Sequence, residues 1–235
     1  MSLTVGLLVF PRMQQLDLTG PYEVFASVPG MHVELVGRTL EEVTSATGLV
    51  LRPTMDFTTC PQLDVLCVPG GVGINALLTE PETLAFIKRQ AVGARYVTSV
   101  CTGALVLGAA GLLQGKRATT HWAAHDLLVL FGAIPTQGRV VQDGNLVTGG
   151  GVTAGIDFAL TLVAELFGQA AAEAVQLGLE YAPAPPFASG TPETATAKVL
   201  AQVRARFKAS REERESILHS LGLPGRSVDA EADRG

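Results

Sequence analysis

The chain reads as an α/β protein in which a mainly parallel sheet is sandwiched by helices. Short apolar, β-branched runs alternate with longer segments whose apolar residues recur at helical spacing. Several strand-like runs are apolar throughout instead of alternating, as strands buried on both faces are. Glycine supplies 26 of the 235 residues, which suits many tight corners between strands and helices.

Residues 3–10, apolar except Thr4 and Gly6, predict the first core strand. Pro21 follows Thr19-Gly20 and suits the first turn of a helix running through Glu23 and Phe25. Residues 31–36 alternate as a strand, and residues 44–56 read as a hairpin around Thr47-Gly48. Residues 63–68 are a further buried strand, ending in Pro69-Gly70-Gly71-Val72-Gly73. A helix is expected from Pro81 to Gln90, then a strand over 96–100 and a helix from Thr102. Residues 117–120 suit a short strand and 121–131 a helix. Residues 139–148 suit a hairpin turning at Asp143-Gly144. Gly149, Gly150 and Gly151 then feed a long helix over 154–167.

The Pro-rich stretch 182–190 breaks this alternation and predicts an extended segment. Thr191-Pro192 opens a helix with Val199, Val203 and Phe207 on one face. Ser210 and Glu213 then resemble a capping box for a last helix ending at Gly222. The polar residues 226–235 are expected to be disordered. The division that results is a catalytic domain over residues 1–190 and a helical extension over 191–235.

Composition narrows the function. A net charge of −5 with no long basic run gives no support for nucleic-acid or anionic-membrane partners. The apolar N-terminus lacks a basic leader, and Pro11 and Arg12 interrupt it at once, so it is a core strand and not a signal peptide. No apolar run approaches the ~18 residues of a membrane span. Three cysteines with no C-x-x-C pair fit free thiols in a reducing, cytoplasmic setting. Cys67 sits in an apolar strand and reads as packing; Cys60, before Pro61 in a turn, has no assigned role.

Cys101 is the candidate nucleophile. It lies where the strand over 96–100 meets the following helix, with the small residues Ser99 and Gly103 two positions to either side. Such a corner exposes a side chain at a sharp turn, as in the nucleophile elbow of hydrolases. It also aims the sulfur at the free N–H groups of a helix start, which favours the thiolate. Ligands of parallel sheets bind at the C-terminal ends of the strands, where Gly70-Gly71, Cys101, Gly150 and Val152 all fall. The amides of Gly70, Gly71 and Val72 are expected to form an anion-accepting turn beside the cysteine. Asp17 follows the first strand at the same end, between Leu16 and Leu18. It is either a carboxyl held protonated by apolar surroundings or a helix cap, and spacing alone leaves both open.

Other motifs carry less. Gly71-x-Gly73-x-x-Ala76 follows an interior strand with no acidic residue placed for a ribose, so it does not read as a dinucleotide site. His121 and His125 share a helical spacing, but Trp122 stands where a zinc protease carries Glu and no third ligand is near, so no metal is expected. Asp157, inside an apolar helix, reads as structural.

Taken together, Gly6-Leu-Leu-Val-Phe, Asp17-Leu-Thr-Gly-Pro, Val68-Pro-Gly-Gly, Val100-Cys-Thr-Gly-Ala, Ala118-Thr-Thr-His-Trp and Val147-Thr-Gly-Gly-Gly-Val-Thr-Ala-Gly-Ile-Asp157 resemble the ThiJ/PfpI superfamily over roughly residues 3–190. That resemblance implies a flavodoxin-like, class I glutamine-amidotransferase-like fold. Within the superfamily the chain is most similar to the branch that hydrates isocyanides, helical C-terminal extension included. This implies Cys101 as nucleophile, Asp17 as its acid/base partner and Thr102 as a pocket residue, in a homodimer, with the extension packed on the domain or on its dimer mate. It also implies a small-molecule substrate and no metal or organic cofactor; Leu16, Leu18 and Val152 are expected to line an apolar pocket. Protease-like members carry His after the nucleophile, where this chain has Thr102. Related transcription regulators append a DNA-binding region of roughly a hundred residues. Here only 45 follow Gly190, and Arg211 and Arg214 are interleaved with Glu212, Glu213 and Glu215. The competing readings are a glyoxalase- or amidase-type cysteine enzyme and a ligand- or oxidation-sensing domain.

Overall fold

The structure, a computed structural model, describes residues 2–223; residues 226–235 and their expected disorder lie outside them. In chain order the elements are β1 (Leu3–Val9), α1 (Gln15–Ala26), β2 (Met31–Gly37), β3 (Val43–Thr44), β4 (Val50–Leu51), β5 (Met55–Asp56) and β6 (Val65–Val68). They continue with α2 (Ile74–Leu77), α3 (Pro81–Gly93), β7 (Tyr96–Val100), α4 (Gly103–Ala109), β8 (Arg117–Ala118), a 3₁₀ helix (Trp122–Phe131) and β9 (Ile134–Pro135). A hairpin of β10 (Val140–Asp143) and β11 (Leu146–Gly149) leads to α5 (Ala154–Phe167), α6 (Gln169–Gly178) and α7 (Ala197–Ser220).

Seven strands form one sheet in the order β10-β11-β7-β6-β1-β2-β5, parallel throughout except for β10. The apolar runs of β1, β6 and β7 lie at its centre, and all four residues of β6 are buried, as strands covered on both faces require. Helix α1 packs on α5, with Phe25 and Phe158 edge to face, while α3 packs on α4. The chain builds outward from β1 through β2 to β5, then returns to β6 and builds the other way. The switch point therefore lies between β1 and β6, the place where such sheets bind ligands. There Gln14 N–H donates to the Gly70 carbonyl at 2.8 Å, and Met13 and Gly71 form an antiparallel bridge.

Three expectations change. Helix α1 starts at Gln15, not near Pro21, so Pro21 sits inside it and Asp17 occupies its first turn. The break expected at Ser210 is absent: α7 is one helix, capped by the Thr196 side chain on Val199 N–H. Ser210 and Glu213 are used in tertiary bonds instead, both accepting from Asn75 Nδ2, at 3.1 and 2.8 Å. The segment after Gly168 forms α6, a helix with no counterpart in the reading of the sequence.

Candidate active site

Cys101 stands between β7 and α4 with φ of 56°, a left-handed conformation that a residue bearing Cβ adopts only where its surroundings enforce it. The enforcement is visible. Its N–H donates to the carbonyls of Gly149 and Gly150, and its carbonyl accepts from the Thr120 hydroxyl at 2.7 Å. Gly103 lets α4 come against the end of β6: a Cβ there would lie 2.0 Å from the Val68 carbonyl oxygen. The small flank read from the sequence thus has a steric cause.

Asp17 is wholly buried. It does not cap its own helix; its Oδ2 accepts the Gly70 N–H across the switch point at 2.9 Å. Gly70 must be glycine, since a Cβ would strike the Thr102 amide nitrogen at 2.5 Å and Asp17 Oδ2 at 3.0 Å. Oδ1 is buried without a regular hydrogen bond among the described residues, and the Cys101 thiol acts on the carboxylate from nearby. Burial pushes Asp17 up to about 7, with the Gly70 N–H and then Cys101 opposing the rise. Burial likewise pushes the Cys101 thiol well above its ordinary range; the Asp17 charge adds to this and the Thr102 N–H opposes it. Burial thus opposes the thiolate that the helix start favours. Helix α4 has seven residues, and Cys101 at its start is 5% exposed. What the fold holds is a thiol and a carboxyl competing for a proton.

Above the pair opens a cavity of about 370 Å³, a size suited to a small ligand. Of the residues expected to line the pocket, Gly71, Val72, Thr102 and Val152 do so with Cys101. Gly70 and Gly150 lie behind the wall, holding Asp17 and the Cys101 amide respectively. The anion-accepting turn is corrected at two of its three amides. The Gly70 amide is engaged by Asp17 and the Gly71 amide by Thr102 Oγ1 at 3.0 Å, so neither is left to receive a ligand. Leu16 and Leu18 do not line the cavity, and Leu18 is part of the core.

Sequence reasoning missed much of the opposite wall. His121, Phe207, Ser210, Arg206, Arg211 and Arg214 line the cavity, all but His121 from α7. His121 Nδ1 accepts the Ala123 N–H at 3.2 Å, its ring meets Phe207 edge to face, and burial holds its pKa down at about 4, so it is neutral. His125 Nε2 lies 3.2 Å from the Thr136 carbonyl. No group of three or more metal-ligating side chains converges among the described residues. The signal for α7 was present in part: Val203 and Phe207, half-buried, lie on the face read from the sequence, which continues to Ser210 and the buried Arg214 once the helix is not broken, whereas Val199 is exposed.

Comparison with known proteins gives one consistent set. The sequence pattern of the DJ-1/PfpI family matches residues 4–165. An isonitrile hydratase from Pseudomonas putida is 63% identical over 217 residues, spanning 92% of this chain and 95% of that protein. The crystal structure of a THiJ/PfpI family protein from Pseudomonas syringae superposes with a TM-score of 0.90 at 46% identity, covering 92% of this chain and 90% of that one. Drosophila melanogaster DJ-1beta superposes at a TM-score of 0.70 and 25% identity, covering 77% of this chain and 98% of its own.

Proposed function

This chain belongs to the DJ-1/PfpI family, and from that premise we propose that it hydrates isocyanides, R–N≡C, to N-substituted formamides through a covalent bond to Cys101. The observation that carries the reading is one strained thiol beside one buried carboxyl of pKa about 7, under a cavity that admits a small molecule. The similarity to the Pseudomonas putida enzyme supplies the substrate class.

Asp17, as carboxylate, takes the thiol proton as the sulfur adds to the terminal isocyanide carbon. That carbon then takes the proton from Asp17, giving the thioimidate R–N=CH–S–Cys101. Asp17, again a carboxylate, removes a proton from attacking water and passes it to the nitrogen, giving the tetrahedral adduct R–NH–CH(OH)–S–Cys101. The tetrahedral adduct breaks its C–S bond, the hydroxyl proton returns to the departing Cys101 sulfur to restore the thiol, and R–NH–CHO is left. One water is consumed, and both protons pass through a group whose pKa matches the task. Thr102 fixes the wall by accepting the Gly71 N–H, and Val152 and Val72 contact the substrate's apolar part.

The test is formamide release from an alkyl or aryl isocyanide, with methylglyoxal as the control for carbonyl chemistry. We expect turnover of the isocyanide and none of methylglyoxal; the reverse pattern overturns the reading. The pH profile is part of the test. Below about 7 both groups keep their protons and no base remains for the thiol, so kcat/KM should rise through an apparent pKa near 7. Activity that is flat from pH 5.5 to 8.5 would contradict the role given to Asp17.

The same reading makes the chain a cytoplasmic homodimer. Its three cysteines are free, no helix among the described residues is long and apolar enough to cross a membrane, and Val92 and Leu177 leave large apolar side chains 90% and 82% exposed. Light scattering at micromolar concentration should give twice the chain mass; the mass of a single chain would count against the dimer.

A further inference from the structure

The wall contributed by α7 carries a charge that the hydration chemistry does not use. Arg214 is 6% exposed, the most buried cation on that helix, and it lines the cavity that holds Cys101. Its Nε donates to Asn75 Oδ1 at 2.9 Å, and Asn75 is itself held by Ser210 and Glu213. Among the described residues no carboxylate forms an ion pair with Arg214, and its two terminal nitrogens have no acceptor. Arg211 is different, being committed to Asp126 at 2.6 Å and Glu215 at 2.8 Å. Among the described residues the cavity lining includes Arg206, Arg211 and Arg214 and no Asp or Glu. His121 beside them is neutral.

Cys101, Glu213 and Glu215 act on this guanidinium only from a distance. A buried guanidinium without a direct ion pair is costly, and four terminal donors in a planar fork match a carboxylate. An isocyanide with only an apolar tail would leave that cost uncompensated. We propose that Arg214 selects the substrate by binding a carboxylate, so that the enzyme takes isocyano carboxylic acids, with the isocyanide carbon at Cys101 and the acid group on the Arg214 fork. The inference rests on the isocyanide reading above and narrows it to a substrate class. Asn75 is the positioning residue: it fixes Nε and leaves the terminal edge for the ligand.

The probes are isocyanoacetate and its ethyl ester, which differ in the charge. For the unsubstituted enzyme kcat/KM should favour the acid by about 10- to 100-fold, the span of one charged hydrogen-bonded contact, and chiefly through KM. Arg214→Gln should collapse that ratio, and Arg214→Lys should restore part of it, since it keeps the charge and loses the fork. N-formylglycine, the hydration product of isocyanoacetate, should compete with substrate better than its ethyl ester. That comparison needs no variant and holds even if Arg214→Gln does not fold. Turnover of the ester equal to or better than the acid overturns the carboxylate assignment while leaving isocyanide hydration standing. Loss of neither substrate's preference in Arg214→Gln overturns it as well. Turnover of neither probe nor any simple isocyanide sinks both readings.

Discussion

Cys101→Ser should lose isocyanide turnover by on the order of 10⁴-fold or more while keeping its fold. The two side chains differ little in volume, and the interactions that hold the corner are made by the backbone. The Cys101 N–H donates to Gly149 and Gly150 and its carbonyl accepts from Thr120, none of which involves the sulfur. What serine lacks is nucleophilicity: a hydroxyl buried beside a carboxyl is harder to ionise than a thiol already raised well above its ordinary range. The check is steady-state kinetics on purified protein whose circular dichroism and melting temperature match the parent. Retained turnover in the serine form would remove the covalent step.

Asp17→Asn should cost on the order of 10²-fold or more for each of the two proton transfers it serves. Asparagine keeps the shape and an acceptor for the Gly70 N–H, so the switch point stays zipped. The rise in kcat/KM through pH 7 should vanish with the titrating group. Stability should move the other way. A carboxyl of pKa 3.8 when unfolded and about 7 when folded favours the folded chain below the lower value. That advantage is lost progressively as pH rises to the higher one, and above it the ionised group costs on the order of 4 kcal/mol. The Asn variant should therefore melt higher than the parent at pH 8, with the gap closing towards pH 4. A variant that is less active and also less stable at pH 8 would mark Asp17 as a structural group.

Much of this site was readable from local pattern. The β-branched run before Cys101, the small residues at 99 and 103 and the helix after it are local features, and the elbow follows from them. Helix α5 likewise has the limits its apolar periodicity gives. The failures share a cause. Pro21 marks a helix start by its local chemistry, yet α1 begins six residues earlier, directly after Met13 and Gln14 engage Gly71 and Gly70. Ser210 and Glu213 have the spacing of a cap, but Asn75, 135 residues away, takes both. Among the mixed charges of residues 211–215, no local signal separates a buried Arg214 from an exposed one. The burial that opposes the Cys101 thiolate is not visible in sequence, whereas a helix start is.

The most direct test of the covalent mechanism is the mass of the protein during turnover, sampled by rapid acid quench after mixing with a simple isocyanide. The thioimidate adds the whole substrate and loses nothing, so a transient gain of one isocyanide mass is expected on the peptide carrying Cys101. That gain should decay as formamide appears, and Cys60 and Cys67 should stay unmodified. Formamide produced at the full rate while Cys101 remains unmodified throughout the pre-steady state would contradict the mechanism.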